Sequence, residues 1–502
     1  MFDKVKCLDF SLESNRERLF GSIAKLEKSF LKKEINVYPL INGKRFKSKN
    51  IIKYYSPNRK NELLANIHLA SEKHAKFCTQ VAKKSFKSFK NTSINDRIQI
   101  LNKVSELISQ NRFDLIALLS FSSGKTLLQA DKEINDSIDF IRYYLSVLKL
   151  ETGSKTIDEK TKIVLKPIGV VATISSYDNS FSKPIGMITS SLLSGNAVIF
   201  KPSTKATLVG QYLVNLFYKS GVPKDVLSFL PGTGAEIGDF LVLNEDVNLI
   251  SFAGSSFTGL KIKQKLSNKK LITDLSGNNF LIVDQTADFK TAINSIIDSA
   301  FNHSGQKASS INNLIIHHRI YDKFLSKLIE AVSDLKTGVS FKVGTDVGPV
   351  IDSKVYNDLL SKIDQFSSMG KIIYKSEVPE TGLFVPIAIF ENVNLKSDLW
   401  NLDFGAPFLA VTKVKDFNSA VSIVNDSKYG LLSAIMTESI KNINYAANNL
   451  DVGNLFINKS SNSFQVSVDC LAGLKQSEMS ARLGTVEYFK LYSNQILVSK
   501  ES

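Results

Sequence analysis

The chain has 502 residues, 43% of them hydrophobic and 22% charged, a length that fits two or three domains and a balance that excludes the disordered and membrane-embedded classes. No run approaches the roughly 18 consecutive apolar residues of a membrane-spanning helix, so no membrane partner is expected. The net charge of +15 leaves RNA or a larger assembly open as a partner, but the lysines are scattered, clusters such as Lys32-Lys33 and those within 44–53 read as solvated faces, and DNA is not expected.

In chain order, the N-terminal part reads as mostly helical. Ile94, Ile98, Leu101, Val104 and Ile108 recur at the spacing of one helix face, with Ser93 or Asn95 as the cap. After residue 160 short β-branched runs alternate with helical stretches. They are 162–176, 185–193, 197–201 and 208–220, then 226–230, 237–243, 249–252, a helix over 261–266, and a strand pair at 271–275 and 280–283. Such βα alternation implies an α/β fold with a mostly parallel, helix-covered sheet and ligands at the carboxyl ends of its strands. A second α/β set follows over 286–470, clearest in a helix over 321–335 and strands over 408–414 and 454–458.

The three cysteines, Cys7, Cys78 and Cys470, are odd in number, widely spaced, and form no metal-ligand pattern with the five histidines. No metal is expected, and a reducing compartment fits. Residues 1–21 lack the layout of a secretory signal, and Asp3, Asp9 and Glu13 argue against a transit peptide. The expectation is cytoplasmic, with the mitochondrial matrix as the alternative for a eukaryotic source.

Three glycine-bearing segments invite a phosphate. Phe121-Ser-Ser-Gly-Lys-Thr126 looks like the tail of a P-loop, but Leu119 stands where the first glycine belongs and the preceding residues are helical, so this reading is set aside. Gly232-Thr-Gly-Ala-Glu-Ile-Gly238 and Phe252-Ala-Gly-Ser-Ser-Phe-Thr-Gly259 each follow a strand and open a helix. Glycines there permit a tight turn, and the free amides of the first helical turn can face an anion. Either alone is commonplace; two successive βα turns point to a dinucleotide. Lys201, in Lys201-Pro-Ser203, ends a strand from which its ammonium can reach a ribose or phosphate, although an exposed lysine is the commoner case.

Together with Pro167-Ile-Gly-Val-Val, Ser194-Gly-Asn-Ala-Val-Ile-Phe-Lys-Pro-Ser203, Asp274-Leu-Ser-Gly277, Gly305-Gln-Lys307 and Lys428-Tyr-Gly-Leu431, these segments resemble the aldehyde dehydrogenase superfamily in order and spacing, over almost the whole chain. Tyr38-Pro-Leu-Ile-Asn-Gly-Lys44, Asp346-Val-Gly-Pro-Val-Ile-Asp352 and Gly453-Asn-Leu-Phe-Ile-Asn458 are most similar to the 1-pyrroline-5-carboxylate dehydrogenase branch, which oxidises glutamate semialdehyde to glutamate with NAD or NADP. The resemblance implies an N-terminal helical segment and first strand over 1–50 and a Rossmann-like dinucleotide-binding domain over 51–285. It further implies a catalytic-type domain over 286–470 and a return segment with an oligomerisation strand over 471–502. A small β extension, near 145–165 and 485–500, would mediate a homo-oligomer.

In that family a cysteine thiolate attacks the aldehyde, an asparagine amide and a backbone N–H hold the oxyanion, hydride passes to the nicotinamide, and a glutamate activates water. Matched residue by residue, the nucleophile position holds Ala308, whose methyl group cannot attack a carbonyl. The oxyanion asparagine falls on Asp178, or leaves Asn179 to serve after a one-residue slip, and the general base falls on Asp274, shorter than glutamate by one methylene. Ser309 matches a serine that contacts the substrate carboxylate in the branch, while the loops shaping the aldehyde pocket read Ser463-Phe464 and Cys470-Leu-Ala-Gly473. The dinucleotide would be held by Ile174, Lys201, Ser203, Gly234, Gly238, Gly254, Ser255 and Phe404. Thr204 and Leu402 replace the two glutamates that grip its riboses; the first change admits a 2′-phosphate, the second removes a contact, so binding is expected to be weakened or lost.

Three functions follow as expectations. The chain is a pseudoenzyme on an aldehyde dehydrogenase fold, or an altered oxidoreductase using another nucleophile such as Ser309, Ser310 or Cys470 or no covalent step, or a non-enzymatic subunit of a larger assembly, with or without RNA.

Overall fold

The computed structural model describes residues 4–500 except 33, 152–153, 158–159, 267, 465, 467–472, 479 and 481–483. Its centre is a seven-stranded sheet in the order Lys270–Leu275, Leu249–Gly254, Val170–Ile174, Ala197–Lys201, Leu227–Phe229, Leu40–Ile41, Lys44–Arg45. The first five strands run parallel, and the last two form an antiparallel hairpin on the edge. Every residue of Val170–Ile174 and of Ala197–Lys201 is buried, as expected where helices cover both faces of a parallel sheet. Chain order reverses between Leu249–Gly254 and Val170–Ile174, so a crevice opens at the carboxyl ends of these neighbours. Ile174 pairs in register with both Phe252 and Lys201, which brings three strand ends to one level.

A second sheet of seven strands runs Lys371–Lys375, Ala388–Glu391, Phe408–Val414, Ile311–His317, Asn279–Val283, Leu432–Met436, Asn454–Ile457. Its core is packed by Phe289–Phe301 and Tyr321–Ser333 through Ile296, Phe301, Phe324 and Leu328. Asn279–Val283 pairs with Ile311–His317 and Leu432–Met436, so it does not pair with Lys270–Leu275. Residues 276–278 therefore carry the chain from one sheet to the other, not a point after 285, with the Ser276 amide still donating to the Gly254 carbonyl at 3.1 Å. The hairpin at 40–45 likewise joins the central sheet, outside the 51–285 span.

The run 162–176 divides into Thr161–Pro167 and Val170–Ile174 at Gly169, whose φ of +141° only glycine adopts readily. The first half pairs with Ser154–Thr156 and Ser493–Ser499 in a small antiparallel sheet. The extension is thus narrower than 145–165 with 485–500: the long helix Leu127–Glu151 occupies its start, and Val486–Lys490 is a helix. The N-terminal part holds helices Glu13–Lys32, Glu72–Phe89, Ile94–Gln110 and Arg112–Ser123, and also a three-stranded sheet of Asn36–Val37, Leu63–His68 and Ile51–Tyr55. Ser93 caps its helix by accepting from the Asp96 amide. Among the described residues no helix is long and apolar enough to cross a membrane.

Candidate active site

At the crevice, Lys201 closes its strand with only 5% of its surface exposed, and burial pushes its amine down to about 8. Its Nζ donates to the neighbouring Pro202 carbonyl at 3.3 Å, and a Cβ at Gly238 would lie 3.8 Å from its Cε. Gly234 opens a π-helical turn, Gly234–Gly238, with nothing within 4 Å of the place a side chain would take. Gly254 ends its strand, and Ser255 caps the next helix by accepting from the Thr258 amide at 3.3 Å. Ser203 caps the turn Thr204–Ala206. The chain thus brings together Ile174, Lys201, Ser203, Gly234, Gly238, Gly254 and Ser255, and this side fits a dinucleotide phosphate. At the ribose end that the resemblance implies, Leu402 is an apolar side chain 40% exposed and offers no hydrogen bond.

The loop before the nucleophile position is wound left-handed at His303, Ser304 and Gly305, with φ of 53°, 54° and 70°. Gly305 is required there, because a Cβ would collide with the Ala406 carbonyl. Gln306 pins the turn by donating to the His303 carbonyl at 3.0 Å and accepting from the Ile351 amide at 3.0 Å. The Asn279 amide donates to the carbonyls of Ala308 at 2.9 Å and Ser310 at 2.8 Å. This rigid frame presents a methyl group at Ala308. Ser309 donates its hydroxyl to Asn462 Oδ1 at 2.6 Å, an amide oxygen that is no general base.

Asp178 follows the strand Val170–Ile174 and is 7% exposed. The ammonium of Lys183, from the helix Ser182–Leu193, lies 3.2 Å from Asp178 Oδ2 and 3.3 Å from Asp274 Oδ2. Burial alone would raise Asp178, but Lys183, Ser176 and Lys125 outweigh it and hold the carboxyl well below the usual carboxylate range. Burial raises Asp274, Asp178 adds to the rise, and Lys183 offsets part of it. The two carboxylates hold the Lys183 ammonium above its ordinary value against its own burial. Both carboxylates are thus engaged by one ammonium, and Asp178 offers an oxyanion only acceptor oxygens where an amide would donate.

Phe404 packs against Phe366 with centroids 4.7 Å apart and the rings tilted by 51°, under the Lys362 ammonium at 4.3 Å from its ring. Beside it Asp403 accepts from the Gly405 amide at 3.0 Å, and burial raises its carboxyl to about 6. A Cβ at Gly405 would lie 3.8 Å from the Gln306 Cα and 3.9 Å from the Tyr177 hydroxyl, so the 402–406 segment, the nucleophile loop and the turn after Ile174 meet at one place.

Three charged groups of this site escaped the sequence reading. Lys183 was visible as the one charged residue between Asp178 and Lys201. Lys125, set aside with the P-loop tail, is turned inward from the end of Arg112–Ser123, 2.8 Å from Glu133 Oε2 and bonded to the Asp178 carbonyl. Lys307, before Ala308, is half-buried, and burial and Lys125 push its amine down to about 8. Ser463 donates to the Ser460 carbonyl at 2.5 Å, and the Phe464 carbonyl accepts from Lys132 at 3.3 Å. Cys470 lies outside the described residues. Cys7 is exposed, and Cys78 is buried with its thiol pushed up to about 12 by burial.

A model of the aldehyde dehydrogenase family matches residues 45–498. The chain belongs to that family. It is 29% identical over 506 residues to the 1-pyrroline-5-carboxylate dehydrogenase of Oceanobacillus iheyensis, covering 98% of each. Among solved structures, this aldehyde dehydrogenase fold matches 1-pyrroline-5-carboxylate dehydrogenase from Thermus with bound NAD at a TM-score of 0.94 and 26% identity, covering 100% of this chain and 99% of that one. It matches proline utilization A from Bdellovibrio bacteriovorus, inactivated by N-propargylglycine, at 0.97 and 28%. There it covers 100% of this chain and 53% of the other, about half of its length.

Proposed function

We propose that this aldehyde dehydrogenase relative, similar to the 1-pyrroline-5-carboxylate branch, is a pseudoenzyme that keeps a dinucleotide crevice without oxidising glutamate semialdehyde. The observation that carries the reading is Ala308, whose carbonyl is held by Asn279, at the position that the resemblance gives to the thiolate. Asp178, Lys183 and Asp274 support it, because the groups that would bind an oxyanion and activate water are tied to one ammonium. A dinucleotide, when bound, would supply a hydride acceptor. In this chain Lys201 and the turns at Gly234 and Gly254 would hold its phosphates, and with Thr204 and Leu402 its riboses would be gripped weakly, with room for a 2′-phosphate.

A homo-oligomer is supported by Ile496, Leu497 and Val498, which are 36%, 63% and 41% exposed on the strand Ser493–Ser499. Bacterial relatives support a cytoplasmic setting. The test is calorimetry with NAD and with NADP, joined to an assay of nicotinamide reduction with glutamate semialdehyde on the same preparation. Binding without reduction is expected. Reduction that survives Cys470→Ala would overturn the reading and direct attention to Ser309.

A further inference from the structure

We propose that a second site, away from the dinucleotide crevice and beside the amino end of the strand Leu227–Phe229, binds a nucleoside polyphosphate. It goes beyond the inactive reading and does not depend on it, because it asks for no chemistry at Ala308. A cavity of about 700 Å³ opens between the helices Glu13–Lys32 and Thr207–Ser220, with the start of Arg112–Ser123 and the hairpin at 40–45 completing its wall. That volume lies within the roughly 300–1,000 Å³ of small-molecule sites. Lys224, in its lining, stands shortly before Leu227–Phe229, whereas Lys201 ends the neighbouring parallel strand Ala197–Lys201. Strand direction therefore puts the two lysines at opposite ends of the sheet.

Each of the two helices turns one face to this space. Ser22, Lys25, Leu26 and Ser29 recur at helical spacing on the first, and Tyr212, Asn215, Leu216 and Lys219 on the second. Leu115 and Leu216 are buried and Leu26 is half-buried, which gives the cavity an apolar lining at depth. The Tyr218 hydroxyl is spent on the Leu227 carbonyl at 2.6 Å, so that ring is fixed in place. Tyr212, 36% exposed, offers a ring on which a base can stack.

Charge decides the ligand. Among the described residues lining the cavity are four cations and one carboxylate, and that carboxylate, Asp114, is taken by Lys25 at 2.6 Å. The side chains of Arg45, Lys219 and Lys224 make no ion pair or hydrogen bond among the described residues. Two of them are nonetheless positioned. The Lys224 stem lies over Gly43 in the hairpin turn, where a Cβ would come within 2.7 Å of its Cδ, and Arg45 pairs in register with Leu40 on the sheet edge. Uncompensated positive charges around one concavity focus their field on an anion. A guanidinium fork and two ammoniums are the groups that grip phosphate oxygens. A single carboxylate would leave two of the three cations unmatched, whereas a polyphosphate chain meets all three and leaves its base for Tyr212.

The experiment titrates the full-length protein with GTP by calorimetry, beside guanosine and inorganic triphosphate. GTP is expected to bind roughly tenfold tighter than either part alone, or more. Joint replacement of the two exposed lysines, Lys219→Gln with Lys224→Gln, should weaken GTP roughly tenfold or more, while Lys201→Met in the dinucleotide crevice should leave it unchanged. The reverse pattern would place GTP in the crevice and overturn the proposal. Inorganic triphosphate binding as tightly as GTP would overturn the assignment to a nucleotide, and no GTP binding would overturn the site. Photolabelling of the unmodified chain with 8-azido-GTP should mark the peptides that carry Lys25 or Tyr212, and labelling confined to other peptides overturns the proposal even if the variants fail to fold. None of these readouts is nicotinamide reduction, so the inactive reading stands or falls separately.

Discussion

The ammonium of Lys183 lies 3.3 Å from the Asp274 carboxylate while also touching Asp178 at 3.2 Å. In an active site built for acyl transfer the first position would activate water and the second would donate to an oxyanion. Here a buried cation spans both and turns reacting groups into a structural ion cluster. A buried cluster of this kind is worth little against an apolar replacement of the whole, yet removing one member leaves charge unpaired.

Lys183→Met should therefore destabilise the protein by about 3–5 kcal/mol, and adding Asp178→Asn should recover part of the loss. Urea denaturation of the single and double variants measures both. A single-variant loss under about 1 kcal/mol would mean that the cluster is solvated.

Replacing the missing nucleophile alone should not suffice. Ala308→Cys puts a thiol into the loop held by Asn279 and Gln306, but leaves the carboxylate of Asp178 at the position that the resemblance gives to the oxyanion asparagine. We expect at most trace reduction of NAD by glutamate semialdehyde. Adding Asp178→Asn and Lys183→Met should raise it by about 10²-fold, the scale of one oxyanion donor. Robust activity in the single variant would show that Asp178 does not occupy the oxyanion position.

Much of the fold was legible because burial leaves its pattern in the sequence. The strand Phe408–Val414 and the Ser93 cap were readable, the first as an apolar β-branched run and the second as a hydroxyl before a helical period. What failed was partnership: Phe280–Val283 looks like a partner of 271–275, but which sheet a fully buried strand joins is decided by tertiary packing, not by its own residues. The site divided in the same way. Ala308, Asp178 and Asp274 were assigned through a resemblance, whereas Lys183 and Lys125 matter through contacts with Asp274 and Asp178, distant in the chain, and single lysines in a sequence with 63 lysines and arginines do not stand out.

Asp403 predicts a pH effect of definite sign. Its carboxyl is raised from 3.8 to about 6 by burial, despite the Gly405 amide. A raised carboxyl contributes stability that is present below about 4 and lost as pH rises through about 6. Asp403→Asn removes that loss, so the variant should gain in urea midpoint over the parent at pH 8 and gain less at pH 5. An equal difference at both values would show that Asp403 is not desolvated.

Lys201 predicts the strength and pH dependence of dinucleotide binding. Lys201→Met should cost about 1.5–3 kcal/mol, roughly tenfold to a hundredfold in affinity, the worth of a charged hydrogen bond. Because burial sets its amine at about 8, binding to the unmodified chain should be tighter at pH 7 than at pH 9. Calorimetry at both values checks this, and affinity unchanged by either manipulation would place the dinucleotide elsewhere.

The most direct test of the central claim is the rate of nicotinamide reduction by the purified protein with saturating glutamate semialdehyde, run with NAD and then with NADP. The account predicts no reduction above the protein-free rate with either cofactor, in a preparation that binds dinucleotide. Steady turnover that disappears on heat denaturation and persists in Cys470→Ala would contradict it, because a site with a methyl group at Ala308 and its carboxylates locked to Lys183 has no group to form the thioester.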